Sequence, residues 1–272
     1  MNPFKTIFLM LAVIFSFTTC MKNPTEGFKV EGSIANFQDC SHIDKVMAFA
    51  VGDNYDFKAK ISESKFENNY FSMFLPYELK DKYCAAIADK KYILFDDRFE
   101  SYLTVSNQNV KVCRIAFNSD NKYYGGGNIT QFGYKEEYNY NNGVASVNLV
   151  KAKYVYAQSA VSVKGEYETY VNGTDMGGVP CPQTIKVNLL LQKGWNIIYH
   201  IGNFTPVPDT YFGRLDTAII NITTERPENI ELKWYYRFCS DFNFYDILEN
   251  ENVQFIYMPF MMSYLSEFIL NF

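Results

Sequence analysis

Apolar residues recur at every second position through most of this chain. Val161, Val163 and Tyr167 share one parity, with Lys164, Glu166 and Glu168 on the other. Ile185, Val187, Leu189 and Leu191 repeat the pattern, and Trp195, Ile197, Tyr199 and Ile201 follow it. Ala218, Ile220 and Ile222 come next, and Ile230, Leu232, Trp234 and Tyr236 close the series. A period of two sends successive side chains to opposite faces, which predicts half-buried strands of antiparallel sheet. Between Leu191 and Trp195, Gln192-Lys193-Gly194 predicts a tight hairpin, the glycine supplying a positive φ. On this parity His200 falls on the polar face of its strand, so an exposed or edge-strand histidine is expected there. In the first half, residues 28–34, 46–51, 57–61, 70–75, 83–88 and 110–117 are the corresponding strand candidates. Residues 76–82 allow one helical turn, but no segment before Phe238 carries a 3.6-residue period.

Short strands at this spacing predict an all-β chain of two antiparallel β-sandwich domains, immunoglobulin- or transthyretin-like in architecture. The stretch Asn118 to Asn128, with Gly125-Gly126-Gly127, is the expected boundary, dividing residues 27–118 from residues 129–237. Composition agrees: 48% of the 272 residues are hydrophobic, enough for a real core, and 22 Tyr, 24 Phe and 2 Trp favour strands. Residues 238–272 differ from the body. They contain no Gly, Lys or Arg and include the uncharged run Phe255 to Met262. Such an apolar tail is an aggregation hazard unless packed. A docking helix, a strand donated to a neighbour, or a frame change near Phe238 in the underlying gene would each account for it.

The first twenty residues also break the pattern. Lys5 gives a basic start, Ile7 to Phe17 is an uncharged, mostly apolar run of 11 residues, and Thr18-Thr19-Cys20 follows. That order predicts a secretory signal over residues 1–19. As a helix, residues 6–21 would reach only about 24 Å at ~1.5 Å per residue, against a hydrocarbon core of ~30 Å. A Cys at this boundary resembles the bacterial lipoprotein signal, in which the Cys becomes the first mature residue and carries the lipid chains. Phe17 and Thr19 stand where that family usually has Leu and Ala or Gly, a looser form that resembles lipoproteins of the Bacteroidota. The resemblance implies lipidation at Cys20, residues 20–26 as a tether, and a lipid bilayer as partner. Lipoproteins sent to the outer face in these bacteria tend to carry acidic residues directly after the Cys. Here the first is Glu26. The expected place is therefore the bacterial outer membrane, its periplasmic face favoured over the cell surface.

Charge and chemistry narrow the picture further. The net charge of −5 comes largely from the tail, since residues 20–237 hold 24 basic and 25 acidic side chains. A near-neutral body gives no support to nucleic-acid binding, which relies on a basic surface. Beyond Cys20, cysteines stand at 40, 84, 113, 181 and 239, an odd number, so at least one lacks an intramolecular partner. No CxxC spacing points to zinc or redox chemistry, and Cys84 and Cys113 read as small core residues. His42 and His200 are the only histidines, and neither stands beside a nucleophile. Asp96-Asp97 and Glu136-Glu137 are adjacent pairs whose members would point apart on a strand. Gly125 to Gly127 lacks the Lys-Ser/Thr of a phosphate loop. No cofactor, metal or catalytic residue is implied.

Two long connections carry the remaining candidates. Residues 172–182 (NGTDMGGVPCP) and 202–213 (GNFTPVPDTYFG) each separate strong strands by more than a hairpin needs. Asp175, Asn203, Asp209, Tyr211 and Phe212 offer hydrogen bonds and a stacking surface for a sugar or peptide. Asn-x-Ser/Thr sequons occur at Asn128, Asn172, Asn203 and Asn221. Asp216-Thr217-Ala218 resembles the short O-glycosylation motif of exported Bacteroidota proteins, which implies Thr217 as the modified residue. The opening strand Phe28 to Gly32 and the Leu-x-x-Gly-Trp-Asn stretch at Leu191 to Asn196 likewise resemble uncharacterised lipoproteins of those bacteria. The expectation is a non-enzymatic cell-envelope lipoprotein that binds a glycan or an envelope protein through its loops. A fimbrial subunit assembling by strand exchange is the alternative, and a glycan-active hydrolase is a second, disfavoured by the missing nucleophile and base.

Overall fold

In the computed structural model the alternating segments become strands, and residues 27–35, 43–52, 57–88, 102–120, 127–139, 144–171, 181–206 and 215–237 are described. The signal and tether, residues 1–26, and the apolar tail, residues 238–272, lie outside them. Among the described residues the chain is all-β, with a 3-10 turn at Asp81–Tyr83 and no α-helix.

Strands β1 (Phe28–Ser33) and β4 (Tyr70–Leu75) pair antiparallel as a separate ribbon. The other strands form one long sheet. It begins at β3 (Phe57–Lys65), passes to β2 (Lys45–Val51) and then to β7 (Lys111–Ser119). The two-residue β5 (Ala85–Ala86) adds to β7. One edge of β9 (Val144–Ala157) is shared in succession by two partners. β8 (Asn128–Asn139) pairs with residues 144–152, and β7 with residues 154–157. From β9 the sheet continues through β12 (Gly194–Pro206), β13 (Leu215–Thr223), β11 (Cys181–Leu191), β10 (Val161–Val171) and the short β6 (Thr104–Val105). β14 (Lys233–Arg237) pairs with β8, and β11 with β13 is the parallel ladder among antiparallel ones.

Two hydrophobic cores share a wall. Val112 of β7 and Leu149, Val155 and Ala157 of β9 face a cluster completed by Val163, Ile185, Leu189 and Ile220. The sheet from β9 to β10 turns one face to that cluster, so it curls over itself. The alternate residues of the same two strands, Cys113, Ile115 and Phe117 with Tyr154 and Tyr156, face a second cluster with Val46, Ala48, Phe71 and Met73. Here the β1–β4 ribbon packs across the larger sheet. Apolar residues at both parities of β7 and β9 are what two buried faces require.

The chain's last described strand closes the second cluster. Trp234 lies there at 2% exposure, its indole N–H donating to the Glu31 carbonyl at 3.1 Å, while its own carbonyl accepts from the Ala35 amide at 2.7 Å. Its ring meets Phe71 and Phe117 edge-on, both at 5.2 Å. Gly32 lies against that indole, and a Cβ there would fall 2.4 Å from a ring carbon.

The expected hairpin at Gly194 is a turn of another kind. Gly194 has φ +99, but β11 and β12 are not hydrogen-bonded to each other, because β13 lies between them. The connection is an arch over the end of β13. Asn196 holds it closed: its side-chain oxygen accepts from the Gln192 amide at 2.8 Å and its NH2 donates to the Gln192 and Gly194 carbonyls at 2.9 and 3.0 Å. Trp195 docks the arch onto the second cluster, its indole N–H donating to the Pro76 carbonyl at 2.7 Å.

Candidate functional site

Strand register gathers three connections at one end of the curled sheet. Val171 pairs with Cys181, Asn139 with Val144, and Pro206 with Leu215. The parallel register of Gln183 with Ala218 brings the start of β11 beside the start of β13. The register of Phe204 with Val147 brings the end of β12 beside the start of β9. Residues 140–143, 172–180 and 207–214 therefore all leave from that end. Asp175, Asp209, Tyr211 and Phe212 belong to these connections and lie outside the described residues, as does Cys20.

Asn203 is described. It sits half-buried near the end of β12 and donates through Nδ2 to Asn148 Oδ1 at 2.6 Å on β9. Asn148 was not singled out from the sequence, and its signal is a polar residue alternating with Val147 and Leu149 on a strand. Thr217 is exposed on β13, opposite Thr205 at the same end of the sheet. The structure thus places Asn203 and Thr217 at the end from which the loops depart.

His200 is a correction to the sequence expectation. Instead of standing on an exposed face, it is fully buried, on the same side of β12 as Ile198 and Phe204, two members of the first core. Period two misassigns it because both faces of β12 are covered. Ile230 and Leu232 lie over the opposite side, against Tyr199, Val150 and Ala152. Gly133 permits that crossing, since a Cβ there would come within 2.1 Å of the Glu231 carbonyl oxygen. His200 stands opposite Ile222 on one neighbour and Lys151 on the other, and neither ring nitrogen has a hydrogen-bond partner. Burial, and then the positive charges of Lys153, Lys151 and Arg114, hold its pKa well below the ordinary value, so the imidazole is neutral. A triad histidine is oriented by a hydrogen bond at one nitrogen and meets a nucleophile at the other. His200 has neither.

The described carboxylates with shifted pKa values belong to surface ion pairs. Glu31 accepts from Lys29 at 2.7 Å and from the Tyr70 hydroxyl. Glu63 accepts from Lys60 at 2.6 Å, and Asp81 from Lys111 at 2.9 Å and from the Gln158 amide. These hydrogen bonds hold all three carboxyls below the usual carboxylate range. Among the described residues no group of three or more His, Cys, Asp or Glu is placed to hold a metal ion, and no helix is long and apolar enough to cross a membrane. Asp96-Asp97 lies outside them, and of Glu136-Glu137 only the backbone, in β8, is described.

No protein-family model, curated protein or solved structure matches the chain.

Proposed function

We propose that this is a non-enzymatic lipoprotein of the bacterial cell envelope, anchored through Cys20 in the outer membrane with its body on the periplasmic side. In this reading the loops at one end of the curled sheet bind a glycan or an envelope protein. The observation that carries it is the shared departure of residues 140–143, 172–180 and 207–214 from one sheet end. A rigid β-scaffold presenting several loops together is a common way to build a recognition surface. Asp175, Asn203, Asp209, Tyr211 and Phe212 are the contact candidates, Thr217 is an O-glycosylation candidate, and the Bacteroidota-type signal supplies the address. The two hydrophobic clusters correspond in this reading to two sandwich-like halves. They are fused through β7 and β9, with β14 returning from residues 129–237 to complete the half built mainly from residues 27–118.

Two measurements test the proposal. Metabolic lipid labelling should mark the wild-type chain and fail on Cys20→Ala; label retained by the variant would overturn the anchor. Binding of the purified mature protein to an array of envelope glycans and to envelope-protein extracts should weaken at least tenfold in Asp209→Ala/Tyr211→Ala. Binding unaffected by that change would move the recognition surface elsewhere.

A further inference from the structure

Cys84 and Cys113 meet across a strand pair. β5 and β7 run antiparallel with Ala85 opposite Val112 and Ala86 opposite Lys111, a register whose next step sets Cys84 opposite Cys113. Directly opposed residues of antiparallel strands have Cα atoms ~4.5–5.5 Å apart, inside the ~4.4–6.8 Å range that a disulfide spans. Both side chains are thiols in the structure, Cys113 wholly buried in the second core and Cys84 half-buried at its rim. The Cys113 thiol donates to the Arg114 carbonyl at 3.5 Å and the Cys84 thiol to the Lys80 carbonyl at 3.9 Å, and each sulfur is near enough to shift the other's ionisation. The turn that carries Cys84 is pinned independently. The Cys84 amide donates to the Asp81 carbonyl at 3.0 Å, and the Asp81 carboxylate binds Lys111 on β7 and Gln158 beyond β9. Closing a bond between the sulfurs therefore requires no rearrangement of strands.

We propose that Cys84 and Cys113 are a disulfide-forming pair that closes when the folded protein meets a disulfide donor. Cys84 is the attacking sulfur, because it is the one solvent reaches. Its thiolate displaces one thiol from the donor and forms a mixed disulfide. Cys113 then loses its proton and attacks the Cys84 sulfur, releasing the donor's second thiol. Two protein thiols are oxidised and one donor disulfide is reduced to two thiols, so electrons and protons balance. The nearness of Cys113 favours the Cys84 thiolate, and the same nearness together with burial keeps Cys113 protonated until that second step. The bond would fasten the 3-10 turn and β5 onto the wall shared by the two cores. Its presence in the cell rests on the exported location proposed above; its formation in the purified protein does not.

The test is to treat the purified, reduced mature protein with glutathione disulfide, block free thiols, and map peptides by mass spectrometry. A peptide joining Cys84 to Cys113, lighter by two hydrogens and abolished by either Cys84→Ser or Cys113→Ser, is the expected result. Two free thiols at these positions in the folded protein, or either one joined to another cysteine, would overturn the pairing. Acid-trapped protein from the native envelope gives the second arm. A joined pair there supports the proposal and export together. A reduced pair there, with a joined pair in the tube, supports the pairing and counts against export.

Discussion

Protonating His200 should unlock the first core, and the size of the effect follows from its surroundings. The imidazole is fully buried beside Ile198, with no partner at either nitrogen and with Lys151, Lys153 and Arg114 acting on it. Its folded pKa is depressed from the ordinary 6.5. The unfolded chain therefore takes up a proton near that value while the folded chain does not. Stability rises with pH wherever the unfolded state binds more protons. The contribution of neutral His200 is thus intact above the ordinary value and is lost as the pH falls below it. The loss is about 1.4 kcal/mol per pH unit until the folded group itself protonates. Between about pH 7.5 and about pH 5.5 this single site removes ~1.4 kcal/mol, a sizeable part of the ~5–15 kcal/mol typical of a domain. Glu31, Glu63 and Asp81 have depressed carboxyl values, so their contributions disappear only at still lower pH. Urea denaturation across that window, read by fluorescence, should show the midpoint falling in the wild type. His200→Leu, which conserves volume and removes two unpaired polar atoms, should flatten the difference and match or exceed wild-type stability at neutral pH. His42 is common to both chains and cancels. A wild type whose midpoint does not move, or a variant that keeps the same slope, would refute the burial argument.

Trp234→Ala should cost about 3–5 kcal/mol in urea denaturation, because it opens a cavity in the second core and strips a hydrogen bond from the Glu31 carbonyl. A loss under ~1 kcal/mol would mean that β14 does not hold β1. Two glycine replacements separate crowding from backbone strain. Gly133→Ala should lift residues 230–232 off Tyr199, destabilise the protein by about 1–3 kcal/mol and expose that segment to protease. Gly194→Ala meets nothing within 4 Å, so its penalty of about 1–2 kcal/mol should arise from φ +99 alone and leave the protease pattern unchanged.

Much of the strand content was legible because alternation is a local signal. Phe28 to Ile34, Val46 to Val51 and Tyr70 to Leu75 each match a strand to within a residue. What alternation cannot carry is which strand lies beside which. Gln192-Lys193-Gly194 turns the chain as glycine allows, yet whether the turn makes a hairpin or an arch depends on β13, which arrives some twenty residues later. His200 was misassigned because the parity rule assumes one wet face, and Ile230 and Leu232 dry the second. Cys84 and Cys113 read as core residues one at a time; their opposition emerges only from the register of a two-residue strand. Of the candidate site, the sequence named two of the three connections by their length, and the short one at residues 140–143 emerges only from the pairing of Asn139 with Val144. Their convergence on one end of the sheet depends on the parallel register of β11 and β13, a long-range pairing without a local signature.

The Trp234 contact also sets a timetable for the growing chain. The residues it joins are separated by 203 positions. The ribbon made first cannot be sealed until nearly the whole described body has been synthesised. Pairings of such high sequence separation form slowly, since the loop they close must be ordered before the contact rewards it. Until then Phe71, Phe117 and Val30 lack their central ring, and the early half of the chain stays open to whatever meets it first. For a protein that must thread through a membrane before folding, late closure keeps the chain extended; for one released too soon, it lengthens the interval in which a holding chaperone is needed.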